Sequence, residues 1–500
     1  MKQVILLALL ILIGGAFLRF FNLNSLPVFA DESIYVRWSQ VMRVESTLRF
    51  LPLSDGKQPL FMWTVIPFLK FISDPLIAGR AVSALCGLLT VIGVGMAAFI
   101  LFKNYRLALF AAAIWAVLPY ALFFERMALA DGMLVMFMIW TFVFAWLALQ
   151  RLRLDLAMLA GFTLGFAWLT KFPAIFAYFL IPLTLFFSGW WTRPLKARLL
   201  AVGLVLVTFF ISFAMYNILR LGPEFYMIGI RNRDYVWPLS EIIKHPLDPL
   251  LPHIKDALTF YLYLTTPLGL LLALLGLADG ELKHVRARIV LAAWWLIPVL
   301  GQAFIAKVFT ARYLLFTVPF AVILMAHGLW HFGDRTKKHF LGMILFGLLV
   351  FLCLVSDGLL IVNPAKAVLP ENERSGYLED WTAGTGLRQV SDYLHGLPAN
   401  THILVGSEGY FGTPFSALQM YLNDRPGVRV IGVGLDIRSV DPKLKNALVD
   451  NRVYLVVNSN RFMGSPDNLG LELINSYPKA AHPDGSRDYL LFFKVRQTLP

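Results

Sequence analysis

Residues 76–150 read LIAGRAVSALCGLLTVIGVGMAAFILFKNYRLALFAAAIWAVLPYALFFERMALADGMLVMFMIWTFVFAWLALQ. Three apolar runs, 76–101, 108–123 and 132–149, are parted by a basic segment, Lys103-Asn-Tyr-Arg106, and by a segment of both signs, Glu125-Arg126 through Asp131. Such runs approach the roughly 20 residues with which a helix crosses a bilayer's hydrocarbon layer. The whole chain agrees, with 58% hydrophobic and 15% charged residues and a mean hydropathy of +0.67. Cytosolic, disordered and collagen-like classes are excluded on these figures, and the chain reads as a polytopic α-helical membrane protein.

Working outward, further runs at 4–18, 156–170, 174–188, 199–219, 257–278, 289–306, 312–331 and 340–362 bring the expected number of spans to about eleven. Val4–Leu18 follows Lys2, and no small-x-small cleavage site stands before Arg19, so it reads as an uncleaved span in preference to a signal peptide. A long loop, 19–75, follows. Within it Pro59–Ile72 is apolar but too short to cross and contains Pro67, which predicts a helix lying at the interface. Cys86 and Cys353 fall inside apolar runs, so no disulfide framework is expected.

The charges set the orientation. Alternate short loops hold Lys103, Arg106, Arg151, Arg153, Arg193, Lys196, Arg198, Lys283, Arg286, Arg288, Arg335, Lys337 and Lys338, whereas the opposite short loops hold only Arg126, Lys171 and Lys307. Basic loops stay in the cytoplasm, which puts the N-terminus inside a bacterial-type cell membrane and the C-terminus outside. A sequence pI of 9.6 therefore points to topology and to the lipid bilayer, not to nucleic acid.

Residues 363–500 are of another kind, with 14 Lys and Arg against 14 Asp and Glu. Short β-type runs at Thr401–Gly406, Val428–Val433, Arg452–Val457 and Tyr489–Val495, with helical patterns near Gly386–Leu394 and Phe415–Tyr421, predict an external soluble α/β domain. Residues 1–362 form the transmembrane domain in this division. The segment Gly406-Ser-Glu-Gly409-Tyr-Phe-Gly412 follows a strand with the wrong spacing for a dinucleotide fingerprint, and reads as an ordinary βα turn.

Several charges are not explained by topology, and on this orientation they gather on the outer rim. They are Asp31-Glu32, Lys57, Glu125, Arg126, Asp131, Lys171, Arg231, Arg233, Asp234, Lys307 and Arg312, the last followed by Tyr313. Ionisable groups at membrane depth are costly, so each raises a functional hypothesis. Arg19, Arg37 and Arg43 read as snorkelling or solvated. Lys171 has no partner near it in sequence, which leaves open whether it binds an anion. His327 and His331 have the i, i+4 spacing of metal ligands on one helix face, but they sit at the cytoplasmic end of a span that holds no carboxylate, so interfacial anchoring is the expectation. Carboxylates with cations on one aqueous rim suit a lipid-phosphate sugar donor. A carboxylate takes the proton of a hydroxyl or amine, and Lys or Arg holds the leaving phosphate.

An Asp-Glu pair in the first outer loop (Asp31-Glu32), a Lys-x-Pro element (Lys57-Gln-Pro59), an Arg-x4-Asp element (Arg126 to Asp131), a Thr-Lys-x-Pro turn (Thr170-Lys171-Phe-Pro173) and a late Arg-Tyr (Arg312-Tyr313) occur in this order. The pattern resembles the GT-C glycosyltransferases of the protein O-mannosyltransferase and lipid A aminoarabinose transferase superfamily, over about residues 1–330. Asp55-Gly56 and Gln58-Pro59 depart from the family's usual surroundings of the lysine. The resemblance implies an inverting hexosyl- or pentosyltransferase that uses a polyprenyl-phosphate sugar and an acceptor protein, lipid or glycan on the external face. By motif, Asp31 would be the catalytic carboxylate and Glu32 its partner. Lys57 and Arg126 would bind the donor phosphate or organise the site, and Asp131, Lys171, Arg312 and Tyr313 would bind substrate. A single phosphate faced by so many cations calls for no metal cofactor, although a divalent cation between carboxylates is the alternative.

Two other classes stay in view. A secondary transporter would show repeated halves and midplane charges, neither of which is found. A non-catalytic membrane assembly protein would leave Asp31, Lys57 and Arg126 without a role.

Overall fold

The computed structural model describes residues 2–335 and 339–496, so Lys337 and Lys338 of the last basic loop lie outside the described residues. Two compact units are present, one of Met1–Phe21, Thr47–Thr64 and Arg80–Leu359, the other of Asn22–Ser46, Val65–Gly79 and Leu360–Pro500. Two pieces of the first long loop thus group with the C-terminal residues.

Up to residue 362 the helices are α1 (Lys2–Phe20), α2 (Ala30–Val44), α3 (Leu60–Phe68), α4 (Pro75–Phe102), α5 (Tyr105–Val117), α6 (Pro119–Glu125), α7 (Ala130–Arg151), α8 (Leu154–Thr170), α9 (Ala177–Phe187), α10 (Leu195–Tyr216), α11 (Met227–Tyr235), α12 (Leu239–Lys244), α13 (Leu247–Leu264), α14 (Pro267–Ala278), α15 (Val285–Ile305), α16 (Ala311–Leu314), α17 (Val318–Arg335) and α18 (His339–Val362). Among the described residues seven helices are long and apolar enough to cross a membrane, or nine if each of two bent pairs is one span. This lowers the expected eleven.

The reasons are local. α5 and α6 bend by 53° and α13 and α14 by 110°, each break falling just before a proline, Pro119 or Pro267. Proline has no N–H to donate and pushes the preceding residue out of the helical region. The expected spans at 156–170 and 174–188 are helical, but they are the short helices Leu154–Thr170 and Phe172–Phe187. Seventeen residues rise only about 25 Å. The apolar stretch from Pro59 forms the nine-residue α3, with Pro67 inside it.

Aromatic packing centres the first unit. Phe142 of α7 meets Trp294 of α15 and Phe320 of α17 edge-on, with ring centroids 5.2 and 5.3 Å apart, and the Trp294 indole N–H donates to Thr184 Oγ1 of α9 at 2.9 Å. Elsewhere two helices touch backbone to backbone. A Cβ on Gly276 of α14 would stand 2.0 Å from the Leu324 carbonyl oxygen of α17, and one on Gly328 would stand 2.3 Å from that of Leu272. Small residues at a crossing allow this approach.

In the second unit β1 (Val28–Phe29) pairs antiparallel with β2 (Ala383–Gly384). A five-stranded mixed sheet has the order β4-β3-β5-β7-β6, where β3 is Ile403–Ser407, β4 Val428–Gly432, β5 Arg452–Asn458, β6 Leu471–Pro478 and β7 Tyr489–Val495. β3 runs parallel to β4 and β5, and β7 antiparallel to β5 and β6. The helices are α19 (Glu371–Arg374), α20 (Leu387–His395), α21 (Phe415–Tyr421) and α22 (Pro442–Ala447). All four expected strands are present. β6 escaped notice because it is an edge strand, mostly exposed, with a register shift between Leu473 and Asn475 that blurs its alternation. The segment 408–414 joins β3 to α21, as a βα turn should, with Gly409 and Gly412 at φ of 67° and 75°.

The helix crossing yields a prediction. Gly276→Ala should lower the melting temperature of the detergent-purified protein, since overpacking costs about 1–3 kcal/mol. Gly203→Ala on α10, where a Cβ meets nothing within 4 Å, should not lower it. Equal melting of Gly276→Ala and the parent chain would refute the close crossing.

Candidate active site

In the second unit Asp31 and Glu32 occupy the first turn of α2, where the helix dipole favours carboxylates. The fully buried Glu32 accepts the Phe29 N–H at 2.9 Å, and Ser33 Oγ donates to the Ala30 carbonyl at 2.7 Å. Glu32 therefore closes the N-terminus of the helix, and Asp31 beside it is half-buried. The C-terminal residues fix this turn. The Ala30 N–H donates to Thr382 O at 3.1 Å, Phe29 pairs with Ala383, and further along α2 Gln40 Nε2 donates to Met420 O at 2.9 Å. Arg37 Nη1 donates to Asn423 Oδ1 at 2.5 Å and Arg43 Nη1 to Leu69 O at 2.8 Å. Arg43 is exposed, as the solvated reading expects, whereas Arg37 is half-buried and tied to Asn423.

The first unit holds the other expected residues in three groups. In the first, Arg19 and Glu125 form a wholly buried ion pair of 2.6 Å, and Arg19 Nη1 also donates to Ala116 O at 2.8 Å. Arg19 is thus no snorkelling residue. Gly87 of α4 makes room for the pair, since a Cβ there would lie 2.4 Å from Glu125 Oε2. The neighbouring Arg126, also wholly buried, donates from Nη1 to the carbonyls of Leu18, Arg19 and Phe21 at 2.5, 3.2 and 2.8 Å. It satisfies carbonyls that the end of α1 leaves without helical partners.

The second group gives Lys171 a partner. Its Nζ lies 2.5 Å from Asp131 Oδ1, forty residues earlier in the chain, and 4.4 Å from the centre of the Tyr313 ring. The Arg312 guanidinium stands 5.3 Å from the same ring. Asp131 is in the first turn of α7 and nearly buried, while Lys171 is in the extended link after α8. Asp131, Lys171, Arg312 and Tyr313 are therefore brought together, with two cations against one carboxylate and a phenol. Such a group can hold an anion and donate hydrogen bonds to it.

Lys57 belongs to a third group. Its Nζ is 3.6 Å from Asp55 Oδ2, and Asp55 Oδ1 is 2.8 Å from Arg231 Nη2, which binds Asp234 through its other nitrogen at 2.5 Å. Gly56 between them has φ 68°, and a Cβ there would meet Arg231 Cβ at 2.7 Å. The departure Asp55-Gly56 thus builds the link to Arg231, a contact between residues 176 apart that no local pattern signals. Lys307 Nζ donates to Arg233 O at 2.6 Å and fixes the other side of the 220–256 loop.

Residues 51–223 match the dolichyl-phosphate-mannose-protein mannosyltransferase family. Lys57, Arg126, Asp131 and Lys171 lie inside that segment, and Asp31, Glu32, Arg312 and Tyr313 outside it. The fold is similar to that of ArnT from Cupriavidus metallidurans bound to undecaprenyl phosphate, with 16% identity, a TM-score of 0.61 and 98% of each chain covered. It is also similar to the oligosaccharyltransferase of Archaeoglobus fulgidus, with 11% identity and a TM-score of 0.50 over 91% of this chain and 69% of that one. No curated protein matches the chain by sequence. The resemblance drawn from the motifs is borne out: a glycosyltransferase-family segment sits in a multi-pass membrane chain with a GT-C fold.

The groups differ in burial. Arg126→Gln should lower the melting temperature by several degrees, since removing a buried charged donor costs about 3–5 kcal/mol. Lys57→Gln, at a partly exposed pair, should leave it within about 2 °C. Thermal scanning of both purified variants checks this, and the reverse order would overturn the assignment.

Proposed function

We propose that the protein transfers a sugar from a polyprenyl-phosphate donor to an acceptor protein, lipid or glycan on the external face of a bacterial-type cell membrane. One observation carries the reading. Lys171, a cation of the family segment, is set against Asp131 of the same segment and against Tyr313, in a chain whose fold matches along its length a protein seen with undecaprenyl phosphate.

The chemistry follows from residue types. Asp31 accepts the proton of the acceptor hydroxyl or amine as that atom attacks the anomeric carbon, opposite the phosphate. The bond from the anomeric carbon to the phosphate oxygen breaks with inversion, and the polyprenyl phosphate departs with the electron pair. Lys57, Lys171 and Arg312 hold the anion, and Tyr313 donates a hydrogen bond to substrate. Glu32 keeps the Asp31 turn in shape, Arg126 holds the end of α1, and Asp131 orients Lys171. Cationic side chains neutralise one phosphate without a divalent ion, so the transfer is metal-independent. The loops with Lys103 and Lys283 are cytoplasmic on this reading, and Asp31 and Asp450 are external.

Asp31→Asn should lower turnover by roughly 10²–10⁴-fold, with insertion and melting unchanged. The assay follows polyprenyl phosphate released by purified enzyme from a donor identified by mass spectrometry in a deletion strain. Near-normal turnover would move the base elsewhere. Wild-type turnover in EDTA should equal that with added Mn²⁺, and loss on chelation with recovery on Mn²⁺ would reject the metal-independent reaction.

A further inference from the structure

At the C-terminal end of α17 the structure joins residues that the sequence keeps apart. His327 and His331 project from one helix face a turn apart. The loop after α14 brings Asp279 between them, with His327 Nε2 3.1 Å from Asp279 Oδ2 and His331 Nε2 2.8 Å from Asp279 Oδ1. The expectation of interfacial anchoring rested on having no carboxylate nearby, and it fails because the Gly276–Gly328 crossing delivers one from 48 residues upstream. Asp279 and His327 are buried.

The contact of His331 is not a hydrogen bond. Its Nε2 is buried and makes none, although it is only 2.8 Å from a carboxylate oxygen. Atoms so close but out of line for each other fit ligands that converge on a third body. Asp279, Glu281 and His331 each offer a ligand atom, all within 4.8 Å of one another. Tetrahedral zinc ligands, about 2.0–2.1 Å from the ion, stand roughly 3.3 Å apart. The loop is held by Arg288, which donates to the carbonyls of Leu277 and Glu281 at 3.1 and 2.8 Å, and by Asp279 Oδ1, which accepts the Glu281 N–H at 3.0 Å.

We infer that Asp279, Glu281 and His331 form a binding site for a divalent transition metal of the zinc class, with His327 orienting Asp279 through its hydrogen bond. One neutral imidazole and two carboxylates suit that ion in ligand type, and they give a complex without net charge. The site opens to a cavity of about 450 Å³ lined by Lys103, Arg106, Lys283 and His284, which would serve an anion as well. The convergence of the three ligand atoms and the misaligned 2.8 Å contact favour the metal. The ion would tie α17 to the α14–α15 loop as a structural clamp. The inference is independent of the proposed transfer reaction.

The test uses the full-length protein in detergent, with any affinity tag cleaved, stripped with chelator and titrated with Zn²⁺, and with Co²⁺ as a spectroscopic probe. Wild type should bind about one equivalent more Zn²⁺ than His331→Gln, show the visible absorption of tetrahedral Co²⁺, and melt higher with Zn²⁺. Asp279→Asn, and His331→Gln at its partly exposed position, should each weaken that equivalent by more than the roughly 10–100-fold that outer-shell changes cost. Comparison with the variants subtracts any metal held elsewhere, such as at Asp380, His482 and Asp488. Equal binding by wild type and both variants overturns the inference. So does retention of inorganic phosphate, with no zinc equivalent sensitive to these substitutions.

Discussion

The buried pair of Arg19 and Glu125 is the constraint on which most of the first unit depends. Neither side chain has any exposure, so each is bound to the other by the cost of leaving a charge unpaired. The pair fixes the end of α1 against the break after α6, and Gly87 on α4 must stay small to admit it. Arg126 then takes the carbonyls at the end of α1. With that corner locked, the short segment 126–129 leads directly into α7, and Asp131 is set in its first turn to meet Lys171. One buried ion pair thus positions a second ion pair.

The second unit solves a different problem by similar means. The turn that carries Asp31 is held firmly: α2 is fixed at its start by Glu32 and the β1–β2 pair and along its length by Gln40 and Arg37. Its partners lie between Thr382 and Asn423, just where the chain enters and crosses the first part of the sheet. The C-terminal residues are therefore part of what holds the Asp31 turn, and not an appendage to it.

Both units concentrate polar interactions where helices break or begin. Pro119 and Pro267 free backbone groups and change direction, and charged or hydroxyl side chains gather at such points because carbonyls and N–H groups there need partners. Thr266 accepting the Gly269 N–H at the start of α14 is one example, and Arg126 at the end of α1 another. This is also why ionisable residues in an apolar chain mark sites.

The amino-acid sequence by itself determined the membrane class, the apolar helices, four of the five strands of the larger sheet and the order of the motif residues, since these follow from runs, periods and charge signs along the chain. It also put Lys57, Arg126, Asp131 and Lys171 in the segment that matches a mannosyltransferase family. Only the tertiary structure decided the partners. Lys171 with Asp131, Arg231 with Asp55, and His331 with Asp279 are pairs separated by 40, 176 and 52 positions, and Coulomb attraction and burial act through space without regard to that separation. The bends at Thr265-Thr266-Pro267 and Leu118-Pro119, which decide whether seven or nine helices count as spans, were visible as prolines. Their angles were not, because a proline frees the backbone and the packing of neighbouring helices sets where it goes.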